Sequence, residues 1–332
     1  MAETAMACPA RPDDARRSLL DHGLALRWSL PLVVLLLALP TVAAALGEEF
    51  YIGVASRVLI FALAASSLNL ILGFGGMVSF GHAAFVGVGA YTVGILMQGH
   101  VGSAWIAWPA AMMAGGLFAL AIGAICLRTQ GAYFIMITLA FAQMLFYLVV
   151  SLPALGGDDG LSLASRSQVG FGVDLGQDTQ FYYVVLLLFV LAFVVMQRLL
   201  NARFGHVLQA IRENEVRMAA IGFPVYRYKL IAFTLAGAIA GLAGALLANT
   251  GGFVSPSMLQ WSQSGMLMVM VILGGVGHLY GGLAGAATFL LLKELLLNYT
   301  EHWQLGVGAA LLAVVLLAPA GLMGLGSGGE RA

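Results

Sequence analysis

"SSLNLILGFGGMVSFGHAAFVGVGAY", residues Ser66 to Tyr91, reads as two apolar segments joined by a glycine-rich break. Gly73, Gly75, Gly76 and Gly81, with Ser79 and His82, interrupt what would otherwise be continuous hydrocarbon. Such a density of glycine weakens any helix. In a membrane core every backbone polar group must be satisfied within the protein, so broken backbone survives only where protein or a water-filled cavity surrounds it. The stretch therefore predicts an interrupted helix inside a bundle of membrane-crossing helices.

Composition agrees. Hydrophobic residues make up 61% of the 332 positions and charged residues 9%, against about 25% charged in soluble domains. Forty-three glycines suit membrane helices, which approach closely through small side chains. Fifteen basic residues offset fifteen acidic ones, which removes the basic field that nucleic acid would require. Cys8, in a polar tail, and Cys126, in an apolar run, provide neither a disulfide framework nor a zinc site.

A crossing takes roughly 20 apolar residues. That rule predicts an all-α, polytopic transmembrane bundle of about eight to ten spans. They fall near 29–46, 52–72, 83–97, 104–127, 131–150, 181–200, 230–250, 265–279, 282–298 and 304–321. Residues 1–28 read as a disordered cytoplasmic tail without a cleavable signal peptide, 29–322 as the membrane domain and 323–332 as a second cytoplasmic tail. Basic residues favour the cytoplasm. With both termini inside, twelve of the fifteen face that side, among them Arg16, Arg17, Arg128, Arg198, Arg212 and Lys229. Loop 151–180, with Asp158, Asp159, Asp174 and Asp178, then lies outside, and its length marks it for function. The connection 201–229 lies inside, the topology of a bacterial inner-membrane protein.

A second interruption, "ILGGVGHLYGGLAGA" (272–286), begins with the same Ile-Leu-Gly as 71–73, carries a histidine in its break and ends in small residues. Broken spans at matching positions of two halves point to a transport pathway. Gly75, Gly76, Ser79, His82, Gly274, Gly275 and His278 are the pathway candidates. The competing reading is that the glycines only pack helices and each histidine satisfies a nearby carbonyl. Gly237-x3-Gly241 and Gly281-x3-Gly285 read as packing faces. "GFGGMVSFG" lacks the Lys-Ser/Thr ending of a phosphate loop. Lys293 snorkels outward from its apolar run, beside Glu294, and Arg57 is read the same way.

"GHVLQAIRENEVRMAAIGFPVYRYK" (205–229) concentrates charge that the spans lack: Arg212, Glu213, Glu215, Arg217, Arg227 and Lys229. Val207, Ile211, Met218 and Ile221 fall on one helical stripe with Asn214. Glu213 and Arg217 form an i,i+4 pair, and Gly222 with Pro224 stops the helix. A surface-lying linker and a docking helix both fit.

The wording of this insert settles more. "ENEVRMAAIG" resembles the cytoplasmic loop of ABC-importer permeases, in which a Glu-Ala-Ala element followed by glycine docks into the ATPase subunit. Arg217 and Met218 stand between Glu215 and the alanines, so that general match is loose. Together with 66–91, "GAYFIMITLAFAQM" (131–144), "GGDDGL" (156–161) and 272–286, in that order, the chain resembles the branched-chain amino-acid ABC permeases, M-type, over roughly residues 50 to 320. The resemblance implies an ATPase-coupling set of Arg212, Glu213, Asn214, Glu215, Ala219, Ala220 and Gly222. It implies contact with an extracytoplasmic substrate-binding protein at Asp158 and Asp159. Its partners would be an H-type second permease, two ATP-binding subunits and that binding protein, within membrane lipid. No Walker motif is present, so the chain is expected to be no enzyme and to carry no cofactor, with ATP and Mg on the partner subunits. A urea or short-amide permease is the nearest rival. An ion-coupled secondary transporter would need acids buried within spans, and only Glu294 lies in an apolar run. A membrane-embedded enzyme would need a converging constellation, and Ser79 with His82 is the nearest approach to one.

Overall fold

The computed structural model describes residues 33–41, 50–163, 165–170, 174–297, 302–317 and 321–326. The two tails, Glu48, Glu49 and Glu301 lie outside them. After α1 (33–41) comes α2 (Phe50–Asn69), which runs on through a π-turn at Leu70–Phe74. α3 (His82–Gln98), α4 (Ala104–Cys126), α5 (Ala132–Ser151) and α6 (Asp178–Asn201) follow. Two short helices, α7 (Arg203–Glu213) and α8 (Glu215–Ala220), make up the charged insert. Then come α9 (Val225–Gly251), α10 (Trp261–Gly274), α11 (Gly281–Leu297), α12 (Trp303–Leu317) and α13 (Gly321–Gly326). The strands described are two-residue ones, β1 (Leu161–Ser162) and β2 (Phe253–Val254), paired antiparallel.

Five of the described helices are long and apolar enough to cross a membrane: Phe50–Phe74, α4, α5, α6 and α9. α3, α10 and Gln304–Val314 are apolar but shorter, the first two because each is bounded by a glycine break. The span expected at 265–279 instead starts at Trp261 and stops at Gly274, because Gly275 and Gly277 turn left-handed there.

α2 and α9 form the centre. α2 is buried nearly all round, at Leu59, Ile60, Leu63, Leu68 and Ile71 among others, the pattern of a helix enclosed by helices. α3 and α4 pack on α9, and α6, α9, α10 and α11 pack on α2. α4 and α5 turn Trp105, Met113, Leu117, Tyr133, Met136 and Tyr147 outward, an apolar surface suited to lipid. Close backbone approach holds α3, α4 and α9 together. A Cβ at Gly89 would overlap the Gly241 carbonyl, and one at Gly244 the Val86 carbonyl. Gly237 and Gly241 meet Ala119 and Ala111 of α4, and Gly281 and Gly285 meet Gly275, just past the end of α10, and Met270 of α10. All four are packing positions, as their spacing predicts.

The connection after α5 is a folded cap. The Ser167 N–H donates to Asn249 Oδ1 (2.7 Å), and Asn249 Nδ2 donates to the Ala245 carbonyl (2.8 Å). Arg166 bonds Asp178 (2.6 Å) and the Leu175 carbonyl (2.8 Å) and lies 4.8 Å from the Phe181 ring centre. Asp158 and Asp159 stay exposed on its turn.

The insert departs from the single helix expected. Asn214 is extended, with φ −156° and ψ 97°, and its side chain accepts from the Arg217 N–H (2.8 Å). That is an N-cap, so the chain ends one helix and starts another. Val207, Ile211, Met218 and Ile221 consequently share no stripe: Ile211 is buried and Ile221 is 65% exposed. The i,i+4 geometry of Glu213 and Arg217 is lost with it, and Glu215 pairs instead with Lys229 at the start of α9. Phe204 and Phe223 anchor the insert by packing on Tyr228.

Candidate functional site

The two glycine-rich breaks meet. Asn69, last residue of α2 and 1% exposed, donates from Nδ2 to the His278 carbonyl (2.8 Å) and accepts at Oδ1 from the Gly277 N–H (3.0 Å). One carboxamide thus satisfies the Gly277 N–H, which the second break leaves without a helical partner, and adds a second donor to the His278 carbonyl, which also accepts from the Gly281 N–H (3.0 Å). The first break adjoins it closely: a Cβ at Gly73 would lie 2.5 Å from the Gly277 nitrogen. The π-turn there frees the Gly73 carbonyl, and Nη1 of Arg212 donates to it. The Arg212 stem lies over Gly76, its Cγ 3.0 Å from where a Cβ would stand. Arg212, Asn69, Gly73, Gly76, Gly277 and His278 form a single node where the insert touches both broken spans.

One step deeper, α3 begins inside the protein, where its unpaired N–H groups need partners. Ser264 Oγ on α10 accepts from the Ala83 N–H (2.9 Å), and Ser79 Oγ from the Gly81 N–H (3.3 Å). Ser67 Oγ donates to the Ala64 carbonyl (2.7 Å) and lies 2.8 Å from His82 Nε2. With the hydroxyl proton committed to Ala64, His82 donates through Nε2–H and its Nδ1 is unprotonated. Ser79 and His82 are fully buried. The structure therefore places them, with Gly75, Gly274 and Gly275, in the packed wall behind the open space, where Ser79 satisfies a backbone N–H of the break and His82 leaves Nδ1 without a hydrogen-bond partner. His82 bonds a serine where a carbonyl partner was the expectation.

The open space is a cavity of about 430 Å³ between α2, α3, α9, α10 and α11. Ala64 and Ala83, beside the Ser67–His82 pair, close its inner end, while Arg57, Lys293 and Glu294 line its outer part. At 1.5 Å rise per residue, Arg57 is roughly 24 Å along α2 from Gly73, so the cavity opens away from the insert. Lys293, read from sequence as merely reaching outward, shares this lining with Glu294 and Arg57. Sequence reasoning missed Asn69. Its signal was an amide in an otherwise apolar or hydroxylic segment, the residue least tolerated there without a partner.

At the other end of the molecule the coupling candidates divide by direction. Glu215 faces the bundle, held by Lys229 and by Gln130 Nε2 (3.3 Å). Arg212 reaches the breaks, and Asn214 caps α8. Ala219, Ala220 and Gly222 stay exposed, with Val216 at 81% and Ile221 at 65%. Glu213 is exposed at the last turn of α7. Gly222, at φ +97°, supplies a left-handed turn after α8.

Enclosed apolar helices, two of them broken where they meet, around a cavity make up a polytopic membrane protein with the interrupted spans that transport pathways use. The sequence profile of the branched-chain amino acid transport system permease components matches residues 50–318. The chain belongs to that family. It is similar to the high-affinity branched-chain amino acid transport system permease protein LivM of Salmonella typhimurium, 28% identical over 82% of this chain and 69% of that one. It is similar to the probable LivM permease of Methanocaldococcus jannaschii, at 24% over 80% and 90%. The LivH permease of Escherichia coli K12 is 24% identical over 80% and 91%. No solved structure matches the chain.

Proposed function

We propose that the chain is the M-type half of the translocation pathway of an ATP-driven importer for branched-chain or related amino acids. It lies in a bacterial inner membrane, with membrane domain 29–322 and both termini and the insert cytoplasmic. An H-type permease supplies the other half and two ATP-binding subunits supply the energy, carrying ATP and Mg. A substrate-binding protein docks on the outer cap at Asp158 and Asp159.

The observation that carries this reading is Arg212, which joins the insert to both broken spans. α8 presents Val216, Ala219, Ala220 and Ile221 to the ATPase. Closure of the ATPase dimer displaces α8 and α7, and Arg212 passes the displacement to the Gly73–Gly277 node. Interrupted helices hinge where their backbone bonds are missing. Movement there shifts α3, which carries Ala83, and α11, which carries Lys293 and Glu294, and so opens the inner end of the cavity. Glu215 holds α8 to α9 during the stroke.

Affinity purification of the tagged chain from its native membrane is expected to recover the H-type permease and two ATP-binding subunits. L-leucine uptake into proteoliposomes should cease when those subunits are inactivated by mutation. Uptake that persists would overturn the reading and favour an ion-coupled transporter.

A further inference from the structure

Three ionisable side chains line the outer part of the cavity, Arg57 from α2 with Lys293 and Glu294 from α11. Arg57 stands seven residues into α2 and Glu294 three residues before the end of α11. At 1.5 Å per residue they sit about 10 Å and 5 Å inside their helix ends. Charged groups at such depth are costly against lipid and are found facing water-filled cavities, where they mark substrate routes. The inner lining is of the opposite kind. Ile60, Phe61, Leu247 and Leu267 are aliphatic or aromatic, and Ala64 and Ala83 leave a shallow end. A volume of about 430 Å³ falls within the range of small-molecule pockets, roughly 300–1,000 Å³.

From this arrangement we infer that the cavity is a transient site for a zwitterionic α-amino acid, its carboxylate on Arg57 and Lys293, its ammonium on Glu294 and its apolar side chain inward. The inference rests on the permease reading and adds the residues that touch the substrate. An α-amino acid carries one anionic and one cationic group on a single carbon, the complement of two cations and one anion on neighbouring helices. Arg presents a planar fork that matches a carboxylate with two hydrogen bonds. Urea or a short neutral amide brings no charge to these three groups, and a site built for charge discriminates against a ligand that lacks it. The floor of Ala64 and Ala83, with Ile60, Phe61 and Leu267 beside it, suits an aliphatic side chain. Aqueous screening at the mouth keeps the ion pairs weak, and transport needs a site that releases as readily as it binds.

The experiment uses the complete complex in proteoliposomes with L-leucine-loaded binding protein, comparing wild type with Arg57→Gln and Glu294→Gln. Each variant is expected to lower maximal L-leucine uptake by about tenfold, the effect of one lost charge-assisted bond. The binding-protein concentration at half-saturation and the stimulated ATP turnover should stay within about twofold, since neither docking nor the insert is touched. Arg57→Lys, which keeps the charge and loses the fork, should recover most of the uptake. As a second measurement, Thr250→Cys lines the same cavity, and its modification by a charged thiol reagent should slow with millimolar L-leucine and not with urea. Neutral variants that transport like wild type, or thiol labelling unaffected by L-leucine, overturn the inference alone. A wild-type complex that imports urea or acetamide and not L-leucine overturns the permease's substrate reading and the inference together.

Discussion

Asn69→Ala removes the carboxamide that ties the two broken spans. Its Nδ2 bond to His278 and its Oδ1 bond from Gly277 are well formed, at 2.8 and 3.0 Å, and the side chain is 1% exposed. Truncation leaves the Gly277 N–H unpaired, costing about 1–3 kcal/mol when buried, while the His278 carbonyl keeps its bond from the Gly281 N–H (3.0 Å). Val276 is exposed and Gly277 half-buried, so water reaches one edge of the break, and the orphaned N–H together with the lost bond to His278 comes to about 2 kcal/mol. The α2 core above it, Leu59 to Leu68, is untouched, so the bundle still assembles and the loss falls on the joint. A shift of 2 kcal/mol changes a two-state balance by a factor of about 30. The assay is the number of L-leucine molecules imported per ATP in the reconstituted complex, with amide exchange across 273–281 as the structural readout. Asn69→Ala should lower the coupling ratio at least about fivefold and speed exchange at Gly277. Asn69→Asp, which keeps the acceptor and loses the donor, should fall between. A variant with wild-type coupling and unchanged exchange would refute a clasp between the breaks.

Arg212→Met keeps the stem over Gly76 and removes the donor to the Gly73 carbonyl; L-leucine uptake should fall several-fold, while the ATP-binding subunits still copurify. Val216→Asp places a charge on the most exposed apolar residue of α8, so ATPase subunits should be lost from the purified complex with no change in the thermal stability of the isolated permease. Gly89→Val drives a side chain into the Gly241 carbonyl, and a melting temperature lower by several degrees is expected from an overpacking cost of about 1–3 kcal/mol; a wild-type melting curve would contradict backbone contact between α3 and α9.

Chemistry per residue was enough for the general plan. An apolar run must become a helix in hydrocarbon, a glycine cluster must break it, and a charged stretch must leave it, so Phe50–Phe74, α4, α5, α6 and α9 and both breaks were legible along the chain. Gly237, Gly241, Gly281 and Gly285 were legible as packing faces for the same reason: their spacing repeats on one side of a helix. The family was legible too, because its wording recurs in order from 50 to 318. Periodicity failed at the insert, where one extended residue, Asn214, resets the helical phase and turns Glu215 towards Lys229. It failed again at the site. Asn69 and His278 are 209 positions apart and Arg212 and Gly73 are 139 apart. Arg57 and Glu294 acquire a common cavity only when α2 and α11 pack side by side. Local propensity acts within a few turns of chain, whereas which polar group meets which broken backbone depends on how the helices stack. The helices and their interruptions therefore belong to the amino-acid order, and the node, the buried role of Ser79 and His82 and the charged cavity belong to the packing.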